Sequence, residues 1–159
     1  MKQVSLRPMT AADFETFAAW SVGSYAQSLM ESGMETESAA VNTAWKEFRE
    51  AFPAGVDSER TFCYVIADTK AVGVILYETD VQQSRGFILD FAIAEAEQGK
   101  GYGKAALMAV LKDAKSKGIQ TMGLNVFHRN QAALHLYEAC GFRPVRVYEG
   151  NSILERTTE

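Results

Sequence analysis

Cysteine is scarce in this chain, and histidine equally so. Cys63 and Cys140 stand far apart, with no CxxC or Cys/His spacing around either. That pattern excludes a zinc ribbon and a disulfide framework, and leaves both as reduced thiols suited to a reducing compartment. His128 and His135 are too few for a histidine-rich metal centre, and no metal is expected. Long apolar runs are missing as well. The longest, Ala105 to Leu111, falls well short of the roughly 20 residues of a membrane span. The opening "MKQVSLRPMT" has no apolar signal core, so the expected location is cytoplasmic, with no membrane partner. Positive charge is not in excess either. Sixteen Lys and Arg face twenty Asp and Glu, a net charge of −4 that lacks the electrostatic footprint of a nucleic-acid binder. With no repeat, low-complexity tract or linker, residues 1–159 read as one domain.

What is present is a core: 47% of residues are hydrophobic. "QVSL" reads as a short first strand. Thr10 with Asp13 makes a box-like cap, followed at helical spacing by Phe14, Phe17, Ala18 and Ser21, with Tyr25 and Leu29 near the same face. A second helix is predicted over Glu37 to Ala51, with Val41, Ala44, Trp45, Phe48 and Phe52 inward and Pro53 as its stop. "TFCYVIA" and "AVGVILYE" form a hairpin about "DTK". "GFILDFAIA" is a nearly continuous apolar strand interrupted by Asp90. A glycine loop then leads to a helix from about Gly103 to Lys117, ended by Gly118. "QTMGLNVF" is a strand, Asn130 caps a helix carrying Ala133, Leu136, Tyr137 and Cys140, and "RPVRVYE" with "SILERT" closes as a hairpin. The order β-α-α-β-β-β-α-β-α-β-β predicts an α/β fold. Its central sheet is mixed and mostly antiparallel, with a parallel pair and helices on both faces.

The loop "QGKGYGK" from Gln98 to Lys104 carries the chemistry. A strand that ends in glycines and restarts as a helix offers free backbone N–H groups and the positive end of a helix dipole, an anion site that a phosphate can approach closely. It is not a P-loop, because Gly103-Lys104 is followed by Ala105. It is not a dinucleotide fingerprint, because Lys104 stands where the third glycine is needed.

The spacing Gln98, Gly101, Gly103 gives Q-x-x-G-x-G. With the later "N…A..LYE..GF" series at Asn130, Ala133, Leu136, Tyr137, Glu138, Gly141 and Phe142, it resembles the GCN5-related N-acetyltransferase (GNAT) superfamily from about Phe62 to Phe142. The resemblance implies an acyltransferase that uses acetyl-CoA and moves an acetyl group to a primary amine by direct attack in a ternary complex. The acceptor would be an amine-bearing small molecule or protein. A coenzyme A-binding regulatory module, or an enzyme using a longer acyl-CoA, are the alternatives it leaves open.

The resemblance also implies roles for particular residues. The strand backbone of Phe91, Ala92 and Ile93 would pair with the pantetheine arm. The amides from Gln98 through Gly99, Lys100, Gly101, Tyr102, Gly103 and Lys104 would hold the pyrophosphate, with charge added by Lys100 and Lys104, and Asn130 would touch the pantetheine. Tyr137 would be the general acid that protonates the departing sulfur. Asp90, the one acid inside its strand, is expected to share a face with Ile88 and Ala92. It is a candidate base, or else a hydrogen-bond partner of the backbone. The two early helices, and "MESGMETES" between them, would wall the acceptor site. The C-terminal hairpin offers an edge for a homodimer.

Overall fold

The computed structural model describes residues 2–31, 33 and 36–159. The backbone divides into two compact units, Met9–Glu59 and Met1–Pro8 with Arg60–Glu159.

The smaller unit is a helical pair, α1 (Ala11–Glu31) and α2 (Glu37–Ala51). The Thr10 hydroxyl accepts from the Asp13 amide at 3.1 Å while Asp13 Oδ2 accepts from the Thr10 amide at 3.0 Å, a reciprocal cap that satisfies two donors a helix end leaves open. Thr36 caps α2. The buried stripe of α1 runs through Phe14, Phe17, Ala18, Val22 and Ala26. Ala40 and Ala44 of α2 join Val22 and Ala26 in one cluster. These small residues let the two backbones close, which moves the bulkier Tyr25 and Val41 to the exposed flanks rather than into the expected stripe. Phe14, Phe17, Phe48 and Phe52 close the end of the pair as one aromatic cluster. Ser32, Met34 and Glu35, in the predicted acceptor wall, lie outside the described residues.

The larger unit is a seven-stranded sheet of order β1-β2-β3-β4-β5-β7-β6. Its strands are β1 (Ser5–Pro8), β2 (Thr61–Ala67), β3 (Ala71–Asp80), β4 (Arg85–Ile93), β5 (Thr121–Phe127), β6 (Arg143–Val147) and β7 (Asn151–Thr157). Helices α3 (Tyr102–Ser116) and α4 (Gln131–Ala139) bury Leu107, Val110, Leu111 and Tyr137 against Ile75, Tyr77, Ile88, Met122 and Leu124 on one face of it. Every neighbouring pair is antiparallel except β4 and β5. Of the two strand–helix–strand crossings in the sequence, the first, through α3, gives the expected parallel pair of β4 and β5. The second crossing, through α4, leads to β6, but β7 returns to lie between β5 and β6 and pairs antiparallel with both.

Two irregularities set the geometry of the second half of β4. The parallel register runs only from Arg85↔Thr121 to Ile88↔Leu124, after which the strands part. Against β3, Ile88 lies opposite Tyr77 but Asp90 lies opposite Leu76, so Leu89 is an extra residue in a bulge. Partners across an antiparallel pair share a face, so Asp90 and Ile88 lie on opposite faces. The alternation expected from sequence, with Asp90 beside Ile88 and Ala92, holds only for Ala92.

Candidate active site

Beyond Ile88, β4 has lost β5 but still pairs with β3, so one edge of its backbone is open. The Ala94 amide donates to Val72 O at 2.8 Å. With Ala92 in register with Val74, this turns the polar groups of Ala92 toward β3 and those of Phe91 and Ile93 toward the opening. The Phe91 amide donates to its neighbour's carboxylate, Asp90 Oδ1, at 2.9 Å. The Ile93 carbonyl accepts from Gln98 Nε2 at 3.0 Å. Among the described residues, the Phe91 carbonyl and the Ile93 amide are the polar groups this edge leaves unpaired. Ala92, expected to join them, is engaged by β3.

A 3₁₀ turn, Glu95–Glu97, leads from β4 into the glycine loop. Gln98 differs from expectation. Its amide closes that turn on Glu95 O at 3.3 Å, and its side chain reaches back to the strand. From Gly99 onward the amides turn free. Gly99 has φ +76° and Gly101 φ +91°, a left-handed conformation that glycine alone adopts without a steric cost. Gly101 is the N-cap of α3 and offers no side chain, and the first bond into the helix runs from the Ala105 amide to Gly101 O. The amides of residues 99 to 104 have no acceptor among the described residues. A Cβ on Gly103 would stand 2.9 Å from Leu136 Cδ2, so this glycine also lets α3 approach α4.

Side chains around the loop fall into two groups. Glu97, 7% exposed, lies between Lys70 Nζ at 2.9 Å and Lys100 Nζ at 3.2 Å. Those two hydrogen bonds, Lys70 first, hold its carboxyl below the usual range. Tyr102 donates its hydroxyl to Asp68 Oδ2 at 2.7 Å, which fixes its ring against the β2–β3 turn. Only its backbone faces the anion site. Lys104 has no carboxylate within ion-pair distance among the described residues. Glu97 was missed from the sequence, although its i,i+3 spacing to Lys100 marks a local ion pair.

The open edge and the loop line one cleft of about 450 Å³. Phe91, Ala92 and Ile93 form one wall, Gln98, Gly99, Gly101, Tyr102, Gly103 and Lys104 the second, and Asn130, Ala133, Leu136 and Tyr137 the third. Lys100 is outside this lining. Asn130 caps α4 by accepting the Ala133 amide on Oδ1 at 3.2 Å. Tyr137 is only 9% exposed, with its ring 6.4 Å from Phe91 and 6.0 Å from Phe142. Its hydroxyl has no hydrogen-bond partner among the described residues. Burial first, and then the negative charge of Asp90, push this phenol up to about 12. A buried hydroxyl with no partner among the described residues, held protonated by its surroundings, can donate a hydrogen bond into the cleft.

The cleft thus has loop amides without acceptors among the described residues on one wall and the buried Tyr137 on another. The profile of the acetyltransferase (GNAT) family matches residues 24–142. The chain belongs to this family. Among relatives of this N-acetyltransferase in Bacillus subtilis, YycN is 29% identical over 91% of this chain and 95% of its own length. YdgE, from the same organism, is 30% identical over 87% and 90%. Both are described as uncharacterized N-acetyltransferases. The crystal structure of YycN superposes with a TM-score of 0.85 at 28% identity, covering 93% of this chain and 97% of that one. A spermidine N-acetyltransferase from Vibrio cholerae, solved with CoA and spermine, shares the fold at TM-score 0.70 and 19% identity, covering 98% and 96%. No helix among the described residues is long and apolar enough to cross a membrane, and no group of three metal-ligating side chains is found among them.

Proposed function

We propose that this enzyme moves an acetyl group from acetyl-CoA to a primary amine by direct attack within a ternary complex. The observation that carries the reading is one cleft in which Gly99, Gly101, Tyr102, Gly103 and Lys104, whose amides have no acceptor among the described residues, line one wall and the buried Tyr137 another. The loop amides and the α3 dipole would receive the pyrophosphate. The Ile93 amide and Phe91 carbonyl would pair with the pantetheine as an added strand. A C–N bond forms as the acceptor amine attacks the thioester carbon, and the C–S bond breaks. Tyr137 donates its proton to the sulfur as it leaves. The amine loses one proton over the reaction and the sulfur gains one, so the balance closes without an outside acid. Asp90 is the proposed acceptor of the amine's proton, because it is the carboxylate whose charge reaches Tyr137. Its bond to the Phe91 amide also fixes the bulge.

The acceptor class rests on relatives of this fold that carry such names as spermidine N-acetyltransferase and ribosomal protein bS18-alanine N-acetyltransferase. The test is release of free CoA thiol from acetyl-CoA in the presence of spermidine, an alanine-terminated peptide and a lysine peptide in separate reactions. At least one should turn over, and Tyr137→Phe should lower its kcat by roughly 10²-fold. An unchanged kcat in Tyr137→Phe would remove this residue from the mechanism.

A further inference from the structure

A second hollow, of about 630 Å³, is lined by Lys2, Lys100, Gly101, Lys104 and Ala105. Gly101 and Lys104 line both this hollow and the cleft. In a chain of net charge −4, three lysines meet here with no carboxylate among the described residues of the lining. Like charges placed together repel, and this chain has acids enough to have neutralised them. Lys2 is located by two contacts. Its stem lies against Gly101, where an added Cβ would stand 3.4 Å from Lys2 Cγ. Its ammonium sits 5.0 Å above the Tyr102 ring, which Asp68 holds from its hydroxyl end. Lys104 has no acidic partner among the described residues, and Lys100 shares its charge with Glu97.

We infer that this hollow takes the 3′-phosphate of the coenzyme A adenosine, and that Lys2 and Lys104 make the enzyme select coenzyme A over its 3′-dephospho form. The inference rests on the proposed binding of coenzyme A in the cleft. Gly101 and Lys104 line both cavities, so a nucleotide with its pyrophosphate on the loop amides meets the second hollow at Gly101. A phosphate monoester carries −1.5 to −2 charges near neutral pH, more than either phosphate of a pyrophosphate diester, and lysine binds it as a point charge without demanding one geometry. Lys100 serves as the third cation when Glu97 retains Lys70.

The test is calorimetric titration with CoA and with 3′-dephospho-CoA, in the wild-type protein and in Lys2→Gln/Lys104→Gln. The wild type should bind CoA about tenfold more tightly than dephospho-CoA at low salt, and the double variant should bind the two within about twofold. In the wild type alone, the preference should shrink as salt rises from about 0.05 to about 0.5 M, and again below pH 6, where the monoester gains a proton. Equal affinity of the wild type for both nucleotides overturns the inference, as does a preference that survives the double substitution or high salt. In those cases the cleft reading stands, since dephospho-CoA still binds. Failure of the wild type to bind either nucleotide overturns the cleft reading and this inference with it.

Discussion

Gln98 Nε2 donates to the carbonyl of Ile93 at 3.0 Å, and so ties the start of the glycine loop to the last residue of the strand that opens beside it. With the backbone bonds of the Glu95–Glu97 turn, it links the loop to the open backbone edge. Gln98→Ala should therefore act on binding rather than on chemistry. The KM for acetyl-CoA should rise by about three- to tenfold with kcat within a factor of two. Stability should fall by no more than about 1 kcal/mol, because the side chain is exposed. A fall in kcat at unchanged KM would show that the bond serves another purpose.

Asp90→Asn separates the two roles of that residue. The amide oxygen of asparagine still accepts from the Phe91 N–H, so the bulge is retained, while the charge is gone. With Asp90 as the base, kcat should fall about 10²-fold and the acidic limb of the pH–rate profile should disappear. Tyr137 should lose the part of its upward shift that comes from the Asp90 charge and titrate lower. Retention of the acidic limb would leave Asp90 with the backbone role alone.

Away from the cleft, Asp113 Oδ2 accepts from Tyr64 at 2.9 Å, Tyr77 at 2.6 Å and Lys117 Nζ at 2.6 Å. Lys117 also lies 4.4 Å above the Phe62 ring. This cluster fastens the end of α3 to β2 and β3. Burial opposes ionisation of Asp113, but the hydrogen bonds outweigh it and hold the carboxyl below its usual value. Burial likewise opposes the charge on Lys117, and its bonds to Asp113 and Tyr64 raise it overall. The signs give a plateau. The Asp113 contribution is present above its unfolded pKa of about 3.9 and is lost as pH falls through the lower folded value. The Lys117 contribution is present below about 10.4 and is lost as pH rises through the higher folded value. Asp113→Ala should cost about 2–4 kcal/mol in urea unfolding at pH 7 and flatten both edges of the plateau. A loss under about 0.5 kcal/mol would mean the cluster is solvated.

The cleft was legible in the sequence to the extent that it is made of local signals. The glycine loop before α3, the Asn130 cap and Tyr137 on the buried side of α4 follow from residue types at short spacing, and the family motifs run through the same positions. Three features were not legible, for separate physical reasons. The extra residue at Leu89 leaves no mark in a strand that is apolar throughout, so alternation put Asp90 beside Ile88. The return of β7 between β5 and β6 depends on which edge a hairpin joins, which the hairpin's own sequence does not encode. Lys2 reaches the loop from the other end of the chain through a ring contact with Tyr102, and no local pattern announces it. Gln98 lies between these cases: its position was evident, but the acceptor its side chain takes was not.

The most direct test of the account is a calorimetric titration of the protein with acetyl-CoA beside Gly101→Val. A β-branched residue cannot hold φ +91° without strain, so this substitution should close the amide cradle while Tyr137 stays in place. The account predicts one acetyl-CoA bound per chain with a Kd in the range of about 1 μM to 1 mM, and binding at least about 30-fold weaker in the variant. Absence of wild-type binding at millimolar ligand, or undiminished binding by Gly101→Val, would contradict it.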